Sequence, residues 1–365
     1  MRTLFKTSYD TDINLFEDGH QAFWYLLLLA GMVVLPFIID DFAIGEMTNL
    51  LIWSLAGLGL MILVGQTGQA SLGHAAFMAV GCYANVLLQQ AGLPFIIAFP
   101  LAGLISGLAG MLLALPMTKL HGIYLGIATL AISILTDDLI IILEPLTAGV
   151  RGLYAPMIEI FGVPIDRYGN PDRFYFLVLA VALLVIVAYR NLLRSPLGRS
   201  FAAVRDSEVS ARAMGVNVAR AKAVSFGIST AIVGLAGALI GHNAGIFNNE
   251  TFNLILSIQL LLMIVIGGLG SIHGAFLGAA VITFLPQFIS HVRDWIGGYF
   301  GATSATLPGV ETAVFAAILI GFILFEPRGI YGRWLKIRTY FQLFPFYRRD
   351  MFRRQKSYLK TERMR

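Results

Sequence analysis

Between Gly65 and His74 the chain reads Gly-Gln-Thr-Gly-Gln-Ala-Ser-Leu-Gly-His, with an apolar run on each side. Gln66, Thr67, Gln69, Ser71 and His74 supply hydrogen-bond donors and acceptors without fixed charge, and Gly65 and Gly68 loosen the backbone around them. Irregular backbone is tolerated at membrane depth only where protein or a water-filled cavity satisfies its polar groups. Such a stretch suits a pathway that passes a polar or zwitterionic solute without trapping it. It suits equally well a turn between two spans whose glycines allow close helix packing. Thr129, in a later apolar run, joins the pathway candidates. A lone His74 reads most simply as a hydrogen-bonded buried histidine. Gly267-Gly-Leu-Gly-Ser271, followed by His273 and Gly274, is a second such interruption, and there the turn is the better reading.

The other chemistry-bearing stretch is Arg190 to Lys222, a polar segment between two apolar blocks with seven Arg/Lys against Asp206 and Glu208. Ser195-Pro196 is a helix start signal, because a proline in the first turn loses only an N–H that would be unpaired anyway. Gly215 is a stop signal, since it can take the left-handed conformation that closes a helix, and Asn217 can cap the next helix. Read as one helix, the segment puts Arg205, Glu208 and Arg212 on one face, with Glu208 four residues before Arg212 in the favoured order for an ion pair. A short charged helix held between two membrane segments suits binding something in the cytoplasm.

Nothing else looks reactive. There is no His-Glu pair at metal spacing, no nucleophile elbow and no Walker A loop, so no catalytic residue, metal site or cofactor is assigned to this chain. Cys82, the single cysteine, lies in an apolar run and reads as a small packing residue. Asp137 and Asp138 fall inside an apolar run, where acids usually face an interior or a cavity. The nearby Glu144-Pro145 favours the plainer view that the helix is close to its outer end there.

The elements that must position these residues are membrane helices. Only 13% of the 365 residues are charged and 57% are hydrophobic, where a soluble protein has about 25% charged. Continuous apolar runs, several near the roughly 18–20 residues that cross a bilayer, exclude a β-barrel. The fold class expected is all-α: a polytopic helical membrane protein with about ten transmembrane helices and broken or re-entrant segments. The runs lie at 22–39, 47–64, 75–90, 95–115, 122–143, 174–189, 223–241, 253–266, 272–290 and 309–325, with a long loop at 144–173. With ten spans, both tails, the 116–121 turn and the 190–222 loop share one side, which holds 22 of the 26 basic residues. That excess marks the cytoplasmic face. The organisation expected is a cytoplasmic tail at 1–21, a membrane domain at 22–325 and a basic cytoplasmic tail at 326–365. The last reads as a segment drawn to anionic lipid. Charge alone also permits nucleic-acid binding, and nothing else in the sequence supports it.

Six motifs stand in order along the chain: Gly65–Phe77, Gly122–Leu130, Thr147–Leu153, Pro196–Arg199 with Arg205–Gly215, Gly267–Ser271 and Glu326–Ile330. On these the chain resembles the larger permease subunit of ATP-binding-cassette importers of the branched-chain amino acid group, over about residues 45–332. The resemblance implies that Arg205, Asp206, Glu208, Ala211, Arg212 and Gly215 lie on a coupling helix that docks in a groove of an ATPase subunit. It implies a second, homologous permease as heterodimer partner, two ATPase subunits that bind ATP and magnesium, a periplasmic binding protein that meets loops such as 144–173, and a multi-pass place in the bacterial inner membrane. The chain departs from many relatives at Ala148-Gly149 and at Asp137-Asp138, which bears on the substrate. Three other readings stand beside amino-acid import: a permease of the same family for urea, short amides or aromatic acids; an ion-coupled carrier, against which the scarcity of mid-membrane charge speaks; and a membrane-embedded enzyme, for which no nucleophile or metal cluster is found.

Overall fold

The computed structural model describes residues 19–118, 120, 122–300, seven positions between 313 and 325, and 329–343. The first 18 residues, Lys119, His121, most of the expected tenth run, residues 326–328 of the last motif and the tail beyond 343 lie outside the described residues. The helices are α1 Gly19–Val34, α2 Asp41–Met61, α3 His74–Gln90, α4 Phe95–Met117, α5 Ile123–Ile142, α6 Pro171–Arg194, α7 Pro196–Asp206, α8 Glu208–Ala213, α9 Val218–Ala244, α10 Leu254–Gly267, α11 Ile272–Phe300 and α12 Gly329–Leu343. Among the described residues seven stretches are long and apolar enough to cross a membrane: Asp41–Gln66, Phe95–Met117, Ile123–Ile142, Pro171–Arg194, Val218–Ala244, Asn249–Gly267 and Ile272–Val292. The expected runs at 22–39 and 75–90 form α1 and α3, which are shorter at 16 and 17 residues.

Two details depart from the all-helical expectation. In the segment expected as a plain loop at 144–173, β2 Ile158–Ile160 pairs antiparallel with β3 Val163–Ile165, Ile160 opposite Val163. Phe161 and Gly162 between them both have positive φ, at 51° and 78°. That is the two-residue turn whose twist matches a hairpin, and the β-branched residues around it favour strands. Further out, β1 Leu153–Tyr154 pairs with β4 Ile246–Phe247, tying this segment to the end of α9.

α9 is the central helix, packed against α2, α3 and α4. Small residues make this possible. A Cβ on Gly81 of α3 would sit 2.2 Å from the Gly234 carbonyl oxygen of α9, so the two backbones touch, as small-residue contacts permit in membrane bundles. Cys82, next to that contact, is buried, which matches its expected packing role.

Candidate functional site

α2 ends in a wide π turn, Ile62–Gln66. Thr67 Oγ1 donates back to Leu63 O at 2.7 Å, and Gly68 turns the chain with φ +71°. Regular helix resumes only at His74. The freed backbone and side chains are satisfied by neighbouring helices, as an interruption at membrane depth demands. Gln66 Nε2 donates to Gly270 O at 3.1 Å, in the Gly267–Ser271 turn, and lies 3.3 Å from Tyr189 Oη of α6. Gln69 Nε2 meets Ser225 Oγ of α9 at 3.0 Å. Leu72 N donates to Thr129 Oγ1 of α5 at 3.0 Å.

His74 is fully buried between Ser71 Oγ, 2.8 Å from Nδ1, and Ser229 Oγ, 2.9 Å from Nε2. Ser229 directs its one hydroxyl proton at Gly59 O, 2.7 Å away. Nε2 must therefore carry the imidazole proton and donate to Ser229, while Nδ1 accepts from Ser71. His74 is the satisfied buried histidine expected. The structure thus brings Gly65, Gln66, Thr67, Gly68, Gln69, Ser71, His74 and Thr129 together in one hydrogen-bonded seam. All are buried except Gly68.

The charged segment corrects the one-helix reading. Ser195 caps α7 as expected, its Oγ accepting from Gly198 N at 3.3 Å. The helix then stops at Asp206, and Ser207 begins a second one, its Oγ accepting from Ser210 N at 3.2 Å. A serine that can bond its own backbone competes with helix continuation, and here it acts as the cap. Arg205 therefore no longer shares a continuous helical face with Glu208 and Arg212. Gly215 closes α8 with φ +84°, and Asn217 Oδ1 caps α9 through Arg220 N at 3.0 Å.

Arg205 reaches inward. Its Nη1 donates to Gly65 O at 3.2 Å, its Nε to Asp206 Oδ1 at 3.1 Å. A Cβ on Gly68 would lie 3.2 Å from Arg205 Cγ, so the stem runs beside that glycine. Glu208 Oε1 pairs with Lys222 Nζ at 2.6 Å, where an ion pair with Arg212 was expected. Lys222 is 3% exposed and also donates to Thr118 O at 3.4 Å, joining α8, α9 and the end of α4. Ala211 is buried against the core. Val209 and Met214 are 82% and 84% exposed, apolar knobs on a charged element.

Sequence reasoning missed Lys222, Tyr189, Ser225, Ser229, Val209 and Met214. The position of Lys222 inside the helix that Asn217 caps was a usable signal for it. The partners of the seam carried none, because which faces of distant helices meet is a tertiary fact. On the opposite half, Asp137 lies within α5 and accepts from Asn249 Nδ2 at 3.0 Å. Among the described residues no group of three or more His, Cys, Asp or Glu could hold a metal ion.

A family model described as branched-chain amino acid transport system / permease component matches residues 42–325. The chain is 34% identical over 297 residues to the high-affinity branched-chain amino acid transport system permease protein LivM of Salmonella typhimurium, covering 75% of this chain and 70% of that protein. It is 33% identical to LivM of Escherichia coli over the same shares. It is also 27% identical over 284 residues to the autoinducer 2 import system permease protein LsrC of Yersinia pseudotuberculosis, covering 73% of this chain and 77% of that one. No solved structure matches the chain. A polytopic helical chain with two polar interruptions bonded to each other, one of them also bonded to a charged connection, and this match over most of its length, belongs to the branched-chain amino acid transport permease family.

Proposed function

We propose that the chain is one transmembrane subunit of an ATP-driven importer that carries branched-chain or similarly small zwitterionic amino acids across a bacterial inner membrane. In this reading it crosses the membrane about ten times, with both tails and the 190–222 segment in the cytoplasm. Hydrolysis takes place on two separate ATPase chains, a homologous permease completes the pathway, and a periplasmic binding protein delivers the solute to the outer loops. The observation that carries the reading is the bond from Arg205 to Gly65. It links the connection between α6 and α9, with its exposed Val209 and Met214, directly to the broken helix of the candidate pathway.

Force on α7 and α8 would then reach the Gly65–His74 seam through one guanidinium and the Gln66–Gly270 bond. A motor chain shifts the permease only if it binds this element differently in its two nucleotide states. The seam residues act here by shaping and hinging the pathway, since their side chains are held by hydrogen bonds to neighbouring helices and backbone. The LsrC relative supports a second reading, a solute that is not an amino acid.

Co-expression with a candidate ATPase subunit pair tests the docking. Met214→Cys should cross-link to an ATPase chain in inverted vesicles, in a yield that changes with ATP. An absent cross-link, together with failure to co-purify, contradicts the docking. Reconstituted uptake of leucine against a panel of amides and sugars decides between the two solute readings.

A further inference from the structure

We propose that Asp137, Asn249 and Tyr83 form a subsite for a primary ammonium group on the outward half of the solute pathway. The inference rests on the importer reading above and deepens it. Asp137 stands five residues before the end of α5, hence about 8 Å along the helix from that end. The helix around it is apolar, and an intramembrane carboxylate is costly unless it faces a partner or a cavity. Among the described residues Asp137 has no cationic partner. Its hydrogen bond is to the amide of Asn249, 3.0 Å from Oδ1.

Two further buried groups, on elements packed against α5, are left unsatisfied among the described residues. Asn249 is 8% exposed, and its Oδ1 has no hydrogen-bond partner among the described residues. Tyr83, from α3, is 6% exposed, its hydroxyl has no hydrogen-bond partner among the described residues, and α3 packs against both α5 and the Asn249–Phe252 turn. Three elements packed on one another thus carry a carboxylate, an amide carbonyl and a phenol oxygen. Orphaned buried polar groups are rare and each asks for an explanation.

The set is rich in acceptors, carries one net negative charge and, among the described residues, holds no resident cation. An alkylammonium has one positive charge and three N–H donors, which matches the set group for group. The aliphatic part of the solute would lie toward the exposed apolar face of α5, where Ile134 and Leu135 stand. Asp138, on the same turn, is exposed and adds negative potential at the entrance.

The test is uptake of radiolabelled leucine into proteoliposomes that hold the whole transporter, at saturating solute-loaded binding protein. Asp137→Asn should lower the rate at least ten-fold, Asp137→Glu should retain a third or more of it, and Tyr83→Phe should lower it about three-fold. A wild-type rate in D137N, or equal loss in D137N and D137E, overturns the subsite. If neither Asp137 variant assembles with its partners, a wild-type rate in Y83F overturns it. If the wild-type protein carries other ammonium-bearing solutes but no branched-chain amino acid, the solute reading fails and the subsite stands. If it carries only solutes without an ammonium group, the subsite fails with it.

Discussion

Arg205 Nη1 donates to Gly65 O across 3.2 Å, which joins the charged connection between α6 and α9 to the carbonyl at the end of the α2 π turn. The two residues are 140 positions apart in sequence. Their contact is what turns two separate oddities, a polar break and a basic segment, into one device.

Gly68 is the backbone half of that contact. An alanine there would hold φ +71°, where a left-handed residue with a side chain costs about 1–2 kcal/mol, and its Cβ would press on Arg205 Cγ. Gly68→Ala should lower the melting temperature of the detergent-solubilised complex by a few degrees and reduce uptake several-fold. Uptake and melting at wild-type values would show that Gly68 does not support the contact.

The Lys222–Glu208 pair holds α8 to α9. Lys222 is 3% exposed and the Glu208 side chain 29% exposed, so solvent screens the pair only partly. Glu208→Gln leaves a nearly buried ammonium without its charge partner, at a cost of about 2 kcal/mol for a charged hydrogen bond. Increased proteolytic cutting between residues 206 and 216 should report the loosening, and Glu208→Asp should cut less than Glu208→Gln. Equal cutting of wild type and Glu208→Gln would contradict this.

The α3–α9 crossing has no room for a side chain. Gly81→Leu would drive atoms into the Gly234 backbone, 2.2 Å from where a Cβ would stand, and overpacking of this kind costs about 1–3 kcal/mol or more. The variant should accumulate poorly in membranes, while Gly31→Leu, on α1 with open space around it and no positive φ, should accumulate normally. Similar yields from both would mean that the helices can part without loss.

Much of this was legible in the sequence, and the illegible part has a physical cause. Caps are local chemistry, so Ser195, Gly215 and Asn217 declare themselves in sequence and take those roles in the structure. The break after Gly65 is local too, written in glycine and polar residues among apolar ones. The stop at Ser207 was hidden, because serine in a helical pattern can either continue the helix or cap the next one, and only the packing of α8 against α9 decides. The length of α6, 24 residues where the apolar run suggested 16, was hidden because its last turn is charged and still helical. The hydrogen-bond partners of Gln66, Gln69 and His74 come from α6, α9 and the Gly267–Ser271 turn, and no spacing rule places those elements beside one another.

The most direct measurement of the central claim is the number of solute molecules imported per ATP hydrolysed by the reconstituted transporter carrying Arg205→Met. The substitution keeps an apolar stem beside Gly68 and removes the donor to Gly65 O. If the contact relays the motor's stroke, ATP hydrolysis continues while solute imported per ATP falls at least five-fold. An unchanged ratio would contradict the account.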